Sequence, residues 1–150
     1  MLRTKKLAIA VMITATAMFG AADNTLGTWK RKIDPAKSSD PQAIKSFTTK
    51  REAIDGGVKV TNSGEMGDGT RITFSYTAKY DGKDYHATGA LWDSISMKLI
   101  DPNTFTFETK KGGTSTKGRT AISKDGKTMT IYTEGTNKAF DTVVVLERAE

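Results

Sequence analysis

Turn-forming residues recur along the chain and constrain its fold more than any other feature. Asp-Gly and Gly-Gly pairs favour residues at positive φ, as two-residue hairpin turns require. Seven clusters follow one another at intervals of about 10 to 20 residues. They are Asp55-Gly56-Gly57, Gly67-Asp68-Gly69, Asp81-Gly82, Asp101-Pro102-Asn103, Gly112-Gly113, Asp125-Gly126 and Gly135-Thr136-Asn137. The pattern predicts a series of antiparallel hairpins.

The segments between the turns alternate apolar and polar residues. On one predicted strand the apolar face consists of Ile72, Phe74, Tyr76, Ala78 and Tyr80. A period of two indicates strands with one buried face and one hydrated face. Ten strands are predicted, at about 27–33, 42–54, 57–63, 70–80, 84–89, 94–100, 104–110, 114–123, 127–134 and 140–148. No helix is predicted after residue 22.

Ten strands with one apolar face each need either a second sheet or closure. Short links between consecutive strands favour a closed, all-β, antiparallel up-and-down barrel, which also removes exposed strand edges. A two-sheet sandwich with Greek-key crossings is the alternative, but it needs longer connections. The length of residues 23–150 suits one domain with one core.

Residues 1–22 have the pattern of a signal peptide. Arg3, Lys5 and Lys6 precede an uncharged apolar stretch, and Gly20-Ala21-Ala22 supplies the small residues that a signal peptidase needs. The apolar stretch of about 13 residues is short against the roughly 20 that span a bilayer, so a retained anchor is the weaker alternative. The chain has no cysteine, and export without disulfides fits a bacterial periplasm or exterior. No membrane span is expected in the mature form.

Composition argues against nucleic-acid binding, metal chemistry and catalysis. Three of the 23 Lys and Arg lie in residues 1–22 while all 17 Asp and Glu follow, which leaves a net charge of +3 for residues 23–150. The basic residues form no long run, so a nucleic-acid partner is not expected. His86 is the only histidine, and without cysteines it has no convergent metal ligands. We therefore expect no enzyme, no metal site and no cofactor.

The first predicted strand carries Gly27-Thr28-Trp29-Lys30, and the last ends in Leu146-Glu147-Arg148. With the ten-strand meander between them, these segments resemble the calycins, the lipocalins and fatty-acid-binding proteins, whose opening strand carries Gly-x-Trp. Tyr-Asp-Gly-Lys-Asp-Tyr and Ser-Lys-Asp-Gly-Lys-Thr also resemble segments of small secreted bacterial proteins of uncharacterised function. The resemblance implies that Trp29 closes the barrel floor and that the Arg148 guanidinium packs across its indole, with cation–π attraction.

The ligand-binding residues of fatty-acid-binding proteins are only partly matched. Their last strand holds a carboxylate with an Arg-x-Tyr pair, where this chain has Val144 and Leu146. The residue here that best matches their other buried arginine is Arg119. It could point into the barrel, but Thr120 and Ile122 compete for that orientation. The resemblance thus leaves Arg119 as a candidate ligand contact without the last-strand clamp.

Aromatic side chains on the inner faces define the candidate cavity. The candidate lining residues are Phe74, Tyr76, Tyr80, Phe105, Phe107 and Arg119, and these aromatics either surround a void or fill a core. The gating helices of fatty-acid-binding proteins are absent, so a cavity is expected to open at a mouth covered at most by residues 35–41 and the loop at 64–69. Trp92 either is exposed beside Leu91 or folds over the rim.

Two functions remain open at this stage. An open interior favours noncatalytic binding of a small apolar or amphipathic ligand, and without the clamp neutral ligands should compete as well as long-chain fatty acids. A filled interior favours a secreted interaction protein, such as an inhibitor or envelope factor, that contacts a protein partner through its loops or Leu91-Trp92. A barrel enzyme is the third possibility.

The signal-peptide interpretation predicts where the mature chain begins. Cleavage should fall before Asp23, because only there do small residues follow the apolar stretch and precede a hydrophilic sequence. N-terminal sequencing of the protein recovered from the periplasm or the medium tests this. An N-terminus at Met1 or Leu2 would contradict it.

Overall fold

The computed structural model describes residues 22–34, 41–89, 92–134 and 142–149. The signal-peptide stretch 1–21, residues 35–40 of the expected mouth, Leu91 and the turn at 135–137 lie outside these ranges. The ten strands are β1 (Gly27–Arg31), β2 (Ile44–Ile54), β3 (Gly57–Met66), β4 (Arg71–Lys79), β5 (Tyr85–Thr88), β6 (Ser94–Asp101), β7 (Thr104–Lys111), β8 (Thr114–Ile122), β9 (Thr128–Glu134) and β10 (Thr142–Arg148).

Each strand pairs antiparallel with the next, and β1 pairs with β10, so the sheet closes into a barrel. The predicted all-β meander barrel is confirmed, and the sandwich alternative is wrong. Glycines at the hairpins supply the backbone that the Asp-Gly pairs predict: Gly56 between β2 and β3 has φ 73° and Gly126 between β8 and β9 has φ 74°. No helix among the described residues is long and apolar enough to cross a membrane.

The third strand departs from its predicted bounds, which ended at residue 63. It continues to Met66 and pairs with β2, so the first half of the expected Gly64–Gly69 loop is sheet. Gly64 permits this approach, because a Cβ there would lie 2.2 Å from the Ser46 carbonyl oxygen. The remaining turn is tight, since the Asp68 carboxylate accepts a hydrogen bond from the Thr70 backbone.

The interior is packed as two clusters of buried side chains. One cluster comes from β3, β4, β6 and β7: Val58, Val60, Ala78, Ile95, Met97 and Phe105. The other comes from β1, β8, β9 and β10: Trp29, Ile122, Met129 and Leu146. Inward residues alternate with exposed ones along the strands, as the period of two predicts.

The floor of the barrel is built on Trp29 and Arg148. The Arg148 guanidinium carbon lies 4.1 Å from the centre of the Trp29 ring, within the range of cation–π attraction. Its three nitrogens donate to the backbone carbonyls of Asn24, Leu26 and Gly126 at 2.8–2.9 Å. One side chain thus joins the segment before β1, the turn before β9 and the end of β10.

The segment before β1 forms the rest of the floor. Thr25 is completely buried, and its carbonyl accepts a hydrogen bond from the indole nitrogen of Trp29 at 2.9 Å. The backbone nitrogen of Asn24 donates to the Pro102 carbonyl in the turn between β6 and β7. These bonds hold residues 24 and 25 across the end of the barrel.

Truncation of Trp29 should destabilise the barrel strongly. Trp29→Ala should lower the free energy of unfolding by about 3–5 kcal/mol, because the indole is fully buried. Arg148→Ala should cost less, because its head group is partly hydrated. Denaturant unfolding measures both, with exposed Lys30→Ala as the control on the same strand. A Trp29→Ala protein as stable as its parent would contradict the floor assignment.

Candidate functional site

The barrel interior contains a cavity of about 340 Å³ between the packed floor and the opposite end. Side chains from β2, β3, β4, β6, β7, β8 and β9 line it, together with Trp92. The lining residues are Phe47, Thr49, Arg51, Asn62, Phe74, Tyr76, Trp92, Ile95, Phe105, Phe107, Thr109, Thr116, Thr120, Met129, Ile131 and Thr133. The cavity is therefore mainly apolar, with polar groups at defined places.

Aromatic rings form one wall of the cavity. Trp92 makes edge contacts with Phe74 and Tyr76, with ring centres 5.7 Å and 5.5 Å apart. Phe105 and Phe107 on β7 lie 6.2 Å apart. Spacings of 4.5–7 Å with tilted or edge-on planes are those that aromatic pairs prefer. Of the two placements open for Trp92, the structure shows the one folded over the strands.

The ring of Phe107 depends on a glycine across the sheet. Gly118 is its partner in the β7–β8 pairing. A Cβ at Gly118 would lie 2.2 Å from the tip of the Phe107 ring, so the ring occupies the space that any side chain at this position would take.

Hydroxyl groups line another part of the cavity. Five of the lining residues are threonines, Thr49, Thr109, Thr116, Thr120 and Thr133. Thr120 is completely buried, and its hydroxyl oxygen has no hydrogen-bond partner among the described residues. A buried polar group without a partner costs about 1–3 kcal/mol. The cavity lining therefore includes a hydroxyl whose hydrogen-bonding capacity the protein does not use.

Arg51 brings a buried positive charge to the cavity. It is 4% exposed and its guanidinium carbon lies 4.5 Å from the centre of the Phe105 ring. Its Nε donates to the Thr25 hydroxyl at 3.2 Å and its Nη2 to the Tyr80 hydroxyl at 3.1 Å. Among the described residues no carboxylate lies within ion-pair distance of it.

The Asp23 carboxylate balances this charge indirectly. Tyr80 donates to its Oδ2 at 2.6 Å, and Thr25 donates to its Oδ1 through both its backbone nitrogen and its hydroxyl. Burial raises the pKa of Tyr80 to about 12, although the charge of Arg51 acts against the shift. Burial likewise raises the pKa of Tyr76. Both phenols are therefore neutral hydroxyls at physiological pH.

The structure brings four of the six predicted lining residues together. Phe74, Tyr76, Phe105 and Phe107 line the cavity. Tyr80 shares their strand face but lies in the floor network with Asp23, outside the lining. Arg119 is exposed and stacks on Tyr132, with its guanidinium carbon 5.1 Å from the ring centre. The inward orientation considered for Arg119 is wrong, because the buried Thr120 and Ile122 set the face of β8.

Sequence reasoning missed Arg51, Asn62 and Thr120 as lining residues. Arg51 could have been found from its spacing, because Phe47, Thr49 and Arg51 are two residues apart and therefore share one face of β2. His86 is exposed on β5, and the described residues contain no cluster of three metal-binding side chains.

The closed ten-strand barrel has a fold similar to that of the fluorescent protein UnaG. Solved structures with this fold include a variant of the fluorescent protein UnaG, with TM-score 0.61 and 17% identity over 85% of this chain and 97% of that one. A second UnaG variant gives TM-score 0.59 and 18% identity, over 83% and 96%. Wild-type UnaG has a TM-score of 0.56 and 15% identity, and the match covers 83% of this chain and 97% of that one. No protein-family model matches the chain, and no curated protein matches its sequence. At these identities the likeness concerns the fold.

The unpartnered hydroxyl predicts a stabilising substitution. Thr120→Val should raise the free energy of unfolding by about 1 kcal/mol, because it replaces a buried polar group without a partner by a methyl group of similar size. Denaturant unfolding measures the change. Thr61→Val, on the exposed face of β3, is the matched control and should stay within about 0.5 kcal/mol. A loss of stability in Thr120→Val alone would show that the hydroxyl has a partner.

Proposed function

We propose that this protein binds a small, mainly apolar or amphipathic molecule noncatalytically in the barrel cavity. One observation carries the proposal: a barrel with a packed floor keeps an unfilled space of about 340 Å³ lined by aromatic rings. Protein interiors are close-packed, and cavities larger than a few water molecules are rare unless they are used. The similarity of fold to the fluorescent protein UnaG supports the barrel architecture in which this cavity lies.

The cavity volume limits the size of the ligand. Small-molecule sites have about 300–1,000 Å³, so this cavity lies at the small end of the range. The described part of the cavity therefore suits a compact ligand.

The alternative of a protein partner has less support. The sequence linked a protein partner to a filled interior and to contacts made by Leu91-Trp92. In the structure, Trp92 packs against Phe74 and Tyr76. Outside the barrel, Tyr132 and Val143 are 40% and 63% exposed and face each other across β9 and β10. Two side chains form a patch smaller than a stable protein interface needs. We retain the sequence-based proposal that the protein is exported to a bacterial periplasm or secreted.

Probe binding tests the proposal. An apolar fluorescent dye should bind the folded protein with a dissociation constant in the micromolar range, about 8 kcal/mol of binding free energy. Phe107→Ala and Tyr76→Ala should change the affinity at least about fivefold, because both side chains line the cavity. Lys79→Ala, exposed on the same strand as Tyr76, is the control and should bind as the parent does.

Fluorescence titration measures these affinities, and circular dichroism checks that each variant is folded. No binding of any dye, or an equal effect of Lys79→Ala and Phe107→Ala, would overturn the cavity as the binding site.

A further inference from the structure

We propose that the ligand is a compact aromatic molecule with an anionic group, such as a carboxylate, and that Arg51 binds this group. The inference rests on the proposed function and names the ligand class for the same cavity. Three features carry it: a buried cation, an aromatic wall and an unused hydroxyl. A single ligand could interact with all three. Its anionic group would pair with the cation and accept a hydrogen bond from the hydroxyl, and its rings would pack against the aromatic wall.

The first feature is the incomplete pairing of Arg51. A guanidinium has five N–H donors. Arg51 donates to the Thr25 and Tyr80 hydroxyls, and the Tyr76 hydroxyl also interacts with it. These partners are all neutral hydroxyls, and the Asp23 carboxylate accepts hydrogen bonds from Thr25 and Tyr80. A charge buried at 4% exposure without a direct counter-ion is costly. A ligand anion in the cavity would supply that counter-ion with short, charge-assisted hydrogen bonds.

The second feature is the wall of Phe74, Tyr76, Trp92, Phe105 and Phe107. Aromatic side chains favour flat partners, because ring faces and edges then meet at the spacing that the wall already shows between its own members. A cavity of about 340 Å³ lies at the small end of the range for small-molecule sites, which suits a molecule of this compact kind. One or two fused rings with a carboxylate have this size.

The third feature is Thr120. Its hydroxyl is buried without a partner in a lining that also contains Asn62 and Thr49, both nearly fully buried. A carboxylate has two oxygens with about four acceptor positions, more than one guanidinium contact uses. Polar side chains in the lining can therefore bond acceptor positions that Arg51 leaves free.

A matched set of compounds tests the ligand class on the unmodified protein. Isothermal titration should show a naphthalene carboxylic acid binding about tenfold or more tightly than the corresponding carboxamide, because only the acid brings a charge to Arg51. The acid should also bind more tightly than decanoic acid, which has the same charge and similar size but no ring. Equal affinity of acid and amide would overturn the role of Arg51. Tighter binding of decanoic acid would overturn the aromatic class.

Two variants locate the anion. Arg51→Gln should reduce the preference for the acid over the amide to less than about threefold while leaving amide affinity nearly unchanged, and Arg51→Lys should restore part of it. Thr120→Val should keep a folded protein and weaken binding of the acid about threefold or more. Lys79→Ala should leave both affinities unchanged. If Arg51→Gln still prefers the acid over the amide as strongly as the parent does, the proposal is overturned. If that variant does not fold, the affinities of the compound set for the unmodified protein and for Thr120→Val test the proposal instead.

The outcomes separate this inference from the proposed function. If the apolar dye binds but no naphthalene compound does, the ligand class is wrong and the binding function stands. If neither the dye nor any of these compounds binds, both are wrong.

Discussion

The floor of the barrel is held together by a single guanidinium. Arg148 stacks on Trp29 and bonds the carbonyls of Asn24, Leu26 and Gly126, so three separate parts of the chain meet at one planar group. Each of these carbonyls lies at one end of the barrel, either before β1 or in the turn before β9. Because a guanidinium carries five donors in a fixed plane, it satisfies them together and covers the indole.

The interior departs from a well-filled core where the ligand is proposed to bind. A cation held by neutral hydroxyls, a threonine hydroxyl with no partner among the described residues and a void of about 340 Å³ all lower stability. A barrel of this size could fill the same space with aliphatic side chains. Concentration of such unfavourable features in one region is typical of functional sites, which sacrifice stability for recognition. The floor, by contrast, has its polar groups bonded and its rings packed.

The fold could be predicted because its signals are local. Each hairpin turn carries its own glycine, as Gly56 and Gly126 show, and each strand carries its own alternation. The site could be predicted only in part, because it depends on which strands face each other across the barrel. Phe105 and Phe107 stand out as aromatics in an alternating strand, whereas Arg51 lies in a strand with polar residues on both faces. The resemblance to fatty-acid-binding proteins made Arg119 a candidate for their buried arginine. The adjacent residue Thr120 points inward instead, so Arg119 lies on the outer face of β8.

The pairing of β1 with β10 has a consequence for how the chain folds. Arg148 bonds residues 122 and 124 positions earlier, while the other strand pairs join neighbours along the chain. Each hairpin can form as soon as its two strands are available. The pairing of β1 with β10, here called the seam, cannot form until the last strand is available. Loop closure over such a separation is entropically costly and slow. Until the seam forms, β1 and β10 are open edges that invite pairing with another chain. The interval before closure is therefore the stage at which this protein is most exposed to aggregation.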